Sequence, residues 1–313
     1  MNSEVLAKSR RFYENRVAPM IRSKVSEYES RLAVGLSGEG SDCFGYDDFI
    51  SRDHDFGTGV CLWLTNEDFH NYGRLLSIAY NELVDSTPGA NLTDRLRERR
   101  GVMTIDGFYS NVLGIKIDAE SGVITEDNWR TIDYSCLATA TNGEIFRDDL
   151  GIFSAFRNTL LDYYPDKIWR ERLASELHRF SASLQVNYSR CMARKDIVAA
   201  DICKSTGLQS AMELFFLLKR EYPPYYKWTY RRLAEIDAEG SFAKKIKELS
   251  ETSCNLSAWE HIRYMPDNLN MSDRVVVISE RIAEMIRDML LKSGISHCSD
   301  AYLEKHVEEV LKE

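Results

Sequence analysis

From about Trp129 onward the chain is written in long amphipathic stretches with few turn signals, and that run confines its carboxyl-terminal part to packed helices. Helical spacing of apolar residues predicts helices over 133–140, 151–163, 167–194, 197–221, 227–239 and 272–293. In the longest, Leu173, Leu177, Phe180, Leu184, Val186, Tyr188 and Met192 largely keep one face. The residues before Trp129 have a different texture. Two short apolar runs, Arg31 to Leu36 and Gly57 to Leu64, favour strands and are joined by a long polar loop containing glycine. An amphipathic helix is expected over 1–30, and a second begins at Thr65 or Asn66, either of which can cap it. A third strand or hairpin is expected around Met103 to Phe108. The expectation is therefore an α/β domain over 1–128 and a helical domain over 129–313, with no internal repeat.

Charge and cysteine usage narrow the function classes. Forty Lys+Arg against forty-nine Asp+Glu leave a formal charge of −9, so a general basic surface for nucleic acid is missing. A local basic patch, Arg95, Arg97, Arg99 and Arg100, stands as either a solvated face or a channel for phosphates. No apolar run approaches the roughly 18–20 residues that a bilayer span needs, and the charged first twenty residues do not read as a secretory leader. The seven cysteines are odd in number, scattered, and form no Cys-x-x-Cys pair. They are expected as core filler in a cytoplasmic protein rather than as disulfides or a zinc site.

The richest chemistry lies between the first two strands. Gly38, Gly40 and Ser41 form a small-residue turn after a strand, where backbone N–H groups and a hydroxyl can meet phosphate. Asp53-His54-Asp55 begins twelve residues after Ser41, at the entry to the second strand. In extended backbone residues two apart face the same way, so Asp53 and Asp55 would set two carboxylates side by side, with His54 pointing away. Such a pair stays ionised most easily around a divalent cation. Strand, Gly-Ser turn, a dozen residues, Asp-x-Asp and strand together fit Mg²⁺-dependent phosphoryl or nucleotidyl transfer.

This segment resembles the active-site signature of the polymerase-beta-like nucleotidyltransferase superfamily, which includes the kanamycin and lincosamide nucleotidyltransferases. More narrowly, GEGSDCFGYDD, SRDHDFG, NGEIFRDDLG, YYP and Tyr225-Tyr226-Lys227-Trp228 resemble an uncharacterised family of predicted nucleotidyltransferases. The resemblance implies an α+β protein: a small mixed-sheet nucleotidyltransferase domain followed by an all-α helical bundle. It further implies Mg²⁺ or Mn²⁺ on Asp53 and Asp55, and an NTP, ATP first, with its β and γ phosphates on Gly40 and Ser41. The family's third carboxylate falls by order on Asp106, with Glu144 and Asp148 as rivals. Lys227, flanked by aromatics, is a candidate clamp for the triphosphate, although packed tyrosines would explain it as well.

Besides the open choice of third carboxylate, one departure weighs against a simple transfer. Glu39 and Asp42 flank the turn and would repel a triphosphate unless a metal or arginine compensates them. Three functions are therefore carried forward. The first is transfer of a nucleoside monophosphate to a hydroxyl of a small molecule or protein. The second is a nucleotide-binding scaffold without turnover, and the third is modification of an RNA end through a local groove at Arg95 to Arg100. No membrane partner is expected.

Overall fold

Four short strands, β1 (Ala33–Leu36), β2 (Cys61–Leu64), β3 (Val102–Thr104) and β4 (Glu144–Asp148), form one mixed sheet in the order β3-β2-β1-β4. The computed structural model describes residues 4–46, 48–50, 57–88, 90, 92–265 and 268–312. β1 runs antiparallel to β2 and β4, while β2 and β3 are parallel. All of β2 is buried, so Cys-Leu-Trp-Leu reads as a continuous apolar run without alternation. One face of the sheet packs Val34, Leu62 and Leu64 against Val17 and Ile21 of α1 (residues 4–24) and Tyr72, Leu76 and Tyr80 of α2 (residues 66–85). The other face offers Trp63, which stacks on Phe153 at 4.0 Å between ring centroids and meets Phe108 edge-on at 5.4 Å. Burying each such side chain stabilises the unit by roughly 1.5–3 kcal/mol.

The remaining helices of this region are α3 (Asp94–Arg99), α4 (Ile105–Leu113), α5 (Glu126–Thr131), α6 (Tyr134–Thr141) and α7 (Ile152–Leu161). The contacts divide the chain into two units, Met1–Tyr163 and Tyr164–Glu313. The division follows Tyr163 rather than residue 128 because β4 is an edge strand of the sheet, in register with β1 from Leu36↔Glu144 to Ala33↔Asp148. The stretch expected to be extended as far as Phe108 turns helical after Thr104. Thr104 Oγ1 accepts from Gly107 N at 2.9 Å, capping α4, and Gly114 closes it in the left-handed region at φ 70°.

Among the described residues the second unit is built of helices. α8 (residues 166–193, with a wider π turn over Ser181–Asn187) and α9 (Ile197–Lys219) form an antiparallel hairpin. Trp169 Nε1 donates to Leu217 O at 2.9 Å, and Ser210 Oγ to Glu176 O at 2.8 Å. α10 (Tyr226–Ile236), α11 (Ser241–Glu251) and α12 (Arg274–Lys292) follow, with a short helix, α13 (Val307–Val310), near the carboxyl end of the described residues. Phe215 of α9 stacks on Phe242 of α11 at 4.7 Å. Asp273 caps α12 through Val275 N and also accepts from Tyr188 and Trp259. The protein is thus mixed α/β and mainly helical, and no helix among the described residues is long and apolar enough to cross a membrane.

Candidate functional site

The turn that follows β1 is held from three sides. The backbone leaves Leu36 through Gly38 at φ 111° and Gly40 at φ 128°, conformations that side chains rarely adopt. A Cβ on Gly40 would stand 2.4 Å from Asp42 Oδ1, so position 40 also has no room for one. Within the turn Tyr46 N donates to Ser41 O at 2.8 Å and Gly45 N to Asp42 O at 3.0 Å.

The first brace is Asn142, at the junction of α6 and β4. Its Oδ1 accepts from Gly38 N at 2.9 Å and Ser37 Oγ at 3.2 Å, and its Nδ2 donates to Gly38 O at 2.8 Å. Arg157 of α7 in turn donates to the carbonyls of Thr141 and Asn142, and burial holds its guanidinium below its ordinary pKa. The second brace is Arg99, whose guanidinium lies 2.5 Å from Glu39 Oε2. The third is Arg100, itself 2 % exposed, which donates to the buried Asp42 carboxylate through Nη2 and to Gly57 O through Nη1. The acids that flank the turn are therefore each matched by an arginine of the basic patch. Arg97 is also engaged, at 2.5 Å from Asp85. Arg97, Arg99 and Arg100 are thus each paired with an acid of the same unit, and only the Arg100 pair is buried.

The acid pair of the sequence reading, Asp53 and Asp55, lies outside the described residues, as do Arg52 and His54. Gly57, two residues after Asp55 in the sequence, is the residue whose carbonyl Arg100 ties to Asp42. Among the described residues no three His, Cys, Asp or Glu side chains gather in a way that could hold a metal ion.

Strand direction separates the three candidates for a third acid. β1 ends, and β2 and β4 begin, at the end of the sheet that bears the turn; β3 ends at the opposite one. Asp106 therefore starts α4 away from Gly40 and Ser41, where Oδ2 accepts from Asn66 Nδ2 at 2.6 Å and Oδ1 from Ala119 N at 2.9 Å. Those bonds secure the loop after α4. Asp148 is likewise at the far end, accepting from Gly151 N and Ser154 N to cap α7. Glu144 alone of the three sits beside the turn, paired with Leu36 across the sheet and half-exposed, with Oε1 at 2.5 Å from Arg10 Nη2. Lys227 belongs to the second unit, in the first turn of α10, with Nζ 5.1 Å from the Trp228 ring centroid.

Asn142 was given no role in the sequence reading, although it is the first residue of the NGEIFRDDLG segment that carried part of the resemblance. A domain of unknown function (DUF4037) has a family model that matches residues 129–229 of the chain. That span includes Asn142, Glu144 and Arg157 as well as the α8–α9 hairpin. No curated protein and no solved structure matches the chain.

Proposed function

We propose that the amino-terminal unit is the catalytic domain of a nucleotidyltransferase that moves a nucleoside monophosphate from an NTP, ATP first, to an acceptor hydroxyl. The observation that carries this reading is the braced turn after β1. Asn142, Arg99 and Arg100 fix the backbone from Ser37 to Asp42 and offset both flanking acids, which removes the repulsion that counted against a triphosphate there. A preorganised turn of this kind suits a polyphosphate, because its shape is set before the ligand arrives.

In this reading Gly40 and Ser41 receive the β and γ phosphates. Asp53 and Asp55 would hold Mg²⁺ or Mn²⁺, which when bound supplies charge neutralisation on the phosphate oxygens. The acceptor oxygen attacks the α phosphorus, the bond from that phosphorus to the bridging oxygen breaks, and pyrophosphate leaves. Glu144 is the acid placed to assist at the turn, where it can take the acceptor proton once Arg10 gives way. Asp106 has a structural task instead. The net charge of −9 favours a small molecule or a protein side chain over nucleic acid as acceptor. The helical unit would be the bundle partner found in that superfamily.

The test is a thermal-shift and pyrophosphate-release screen of the four NTPs with Mg²⁺ or Mn²⁺, with and without deproteinised cell extract as a source of acceptor. One NTP is expected to stabilise the protein in a metal-dependent way and to release pyrophosphate. Asp53→Ala and Asp55→Ala should abolish release while leaving the nucleotide-free melting temperature in place. Glu144→Gln should lower release by about 10²-fold or more, and Asp106→Asn should leave it near the parent value. Full turnover in both Asp53→Ala and Asp55→Ala would overturn the mechanism, and stabilisation without release under every condition would favour the scaffold.

A further inference from the structure

The segment that follows α12 is tied back onto α8 by three residues of that helix. Gly294 turns the chain at φ 70°, and residues 296–312 then pack beside α8 with little regular structure beyond the one turn of α13. Gln185 of α8 donates to Ala301 O and accepts from Leu303 N, each at 3.0 Å. Arg170 Nη1 donates to Val310 O and Lys312 O at 3.2 Å, and at the surface His178 Nδ1 stands 2.9 Å from Glu304 Oε2. Leu303 and Val310 are the buried apolar residues of the segment. A stretch held by so few bonds to one neighbour is the kind that opens locally while the rest of a unit stays folded.

His306 is buried within it, as is Ser296. Its Nδ1 lies 2.8 Å from Ser296 Oγ and its Nε2 2.8 Å from Asp300 O. Ser296 Oγ also donates to Glu309 Oε2 at 2.6 Å and accepts from Cys298 N at 3.2 Å. Glu309 Oε2 accepts from His297 N at 2.7 Å as well, and these donors hold the Glu309 carboxyl below its ordinary range, so it is ionised. The bonds fix the proton count. A carbonyl oxygen only accepts, so Nε2 donates to Asp300 O. The hydroxyl has one proton and Glu309 takes it, so Ser296 Oγ turns a lone pair to Nδ1, which must donate too. An imidazole that donates from both nitrogens is an imidazolium. The charges on the elements packed around it suit a cation: Glu309, and Asp300 with its partner Lys305, on the segment itself; Glu280 on α12; and on α8 Arg170 and the His178–Glu304 pair.

We propose that residues 296–312 form a strap on α8, latched by the His306 imidazolium through Ser296 to Glu309, and that loss of the imidazolium proton as the pH rises releases the strap. A neutral ring leaves one nitrogen facing an acceptor lone pair to lone pair inside a buried site, so the strap loses one of its two imidazole bonds with that proton. The docked strap then holds a proton that the released strap gives up, and docking is favoured toward acid and weakened toward alkali. Glu309 and Asp300, held low by their partners, act in the opposite sense only in acid, below their ordinary range. The latch lies wholly in the helical unit, and the proposal does not depend on the nucleotidyltransferase reading.

The test reads the proton and the strap separately on the full chain. Long-range ¹H–¹⁵N spectra of the histidine side chains should show both His306 nitrogens protonated at about pH 6. Hydrogen exchange followed by mass spectrometry, corrected for the intrinsic pH dependence of exchange, should show protection of residues 296–312 falling with rising pH by up to about tenfold per pH unit, the limit for one linked proton. His306→Gln should remove that dependence, whatever protection it retains. Glu309→Gln keeps an acceptor for Ser296 but removes the charge facing the imidazolium, so the fall should move to lower pH. His178→Gln, which removes only the surface pair, should keep the parent's profile. A singly protonated His306 at about pH 6, a His306→Gln profile parallel to the parent's, or an unshifted profile in Glu309→Gln overturns the proposal.

Discussion

Arg100 shows how one residue can organise a loop at an energetic cost. Desolvating a guanidinium and a carboxylate is expensive, and the mutual attraction of Arg100 and Asp42 repays it only because the arginine also finds Gly57 O. What the pair secures is geometry: the turn after β1 and the approach to β2 are fixed to each other. Arg100→Met is therefore expected to destabilise the amino-terminal unit by about 3–5 kcal/mol, since it strands a buried carboxylate. Arg100→Met/Asp42→Leu should recover much of that loss, because two apolar groups leave no unpaired charge. Urea denaturation monitored by tryptophan fluorescence reads both variants. A double variant no more stable than the single one would mean that Gly57, rather than Asp42, is the partner that matters.

At the scale of elements, the beginning of α4 shows where the sequence could have been read better. Thr104-Ile-Asp-Gly followed by Phe108, Tyr109, Val112 and Leu113 is a capped helix with apolar residues three and four apart, closed by Gly114. The β-favouring residues Val102, Thr104 and Ile105 pulled the expectation toward a strand, yet the cap decides the matter from Thr104 onward. Removing it with Thr104→Ala should cost about 1 kcal/mol, within a range of roughly 0.5–2, and a paired measurement of the denaturation midpoint checks this. A change below a few tenths would mean that packing of Phe108 on Trp63 holds α4 without its cap. β1, β2, the helices from α6 to α10 and α12 were legible because periodicity and turn residues are local, whereas α11 (Ser241–Glu251) was not expected. β4 was not, since an edge strand with only Ile145 and Phe146 apolar acquires its identity from pairing with β1, more than a hundred residues away. The same limit applied to charge. Sequence spacing marked Glu39 and Asp42 as a difficulty and the arginines as a patch, but only the fold matches one to the other.

For the molecule as a whole, the groups that set its response to pH are distributed unevenly. Buried between α8 and α9, the Glu213 carboxyl is pushed up to about 8 from an ordinary 4.5, first by burial and then by the Glu176 carboxylate it hydrogen-bonds. Arg179 Nη1 stands 3.4 Å from an oxygen of each carboxyl, and Gln209 Nε2 donates to Glu213 at 2.9 Å, so one cation faces two acids. The folded state then holds a proton that the unfolded chain has released once the pH passes about 4.5. By linkage this contribution is fully present below pH 4.5 and is lost as the pH rises toward 8. The carboxylates held below their ordinary values by partners, Glu29, Asp166, Glu248, Asp300 and Glu309, act in the opposite sense, but only in acid below their ordinary pKa. Glu280 of α12, also raised by burial, acts in the same sense, so the urea midpoint of the helical unit should fall across pH 5 to pH 8. Glu213→Gln keeps a donor toward Glu176 without a titrating proton, so its midpoint should vary much less over the same range. Parallel pH profiles for the parent and Glu213→Gln would show that the proton is not held where the packing of α8 on α9 places it.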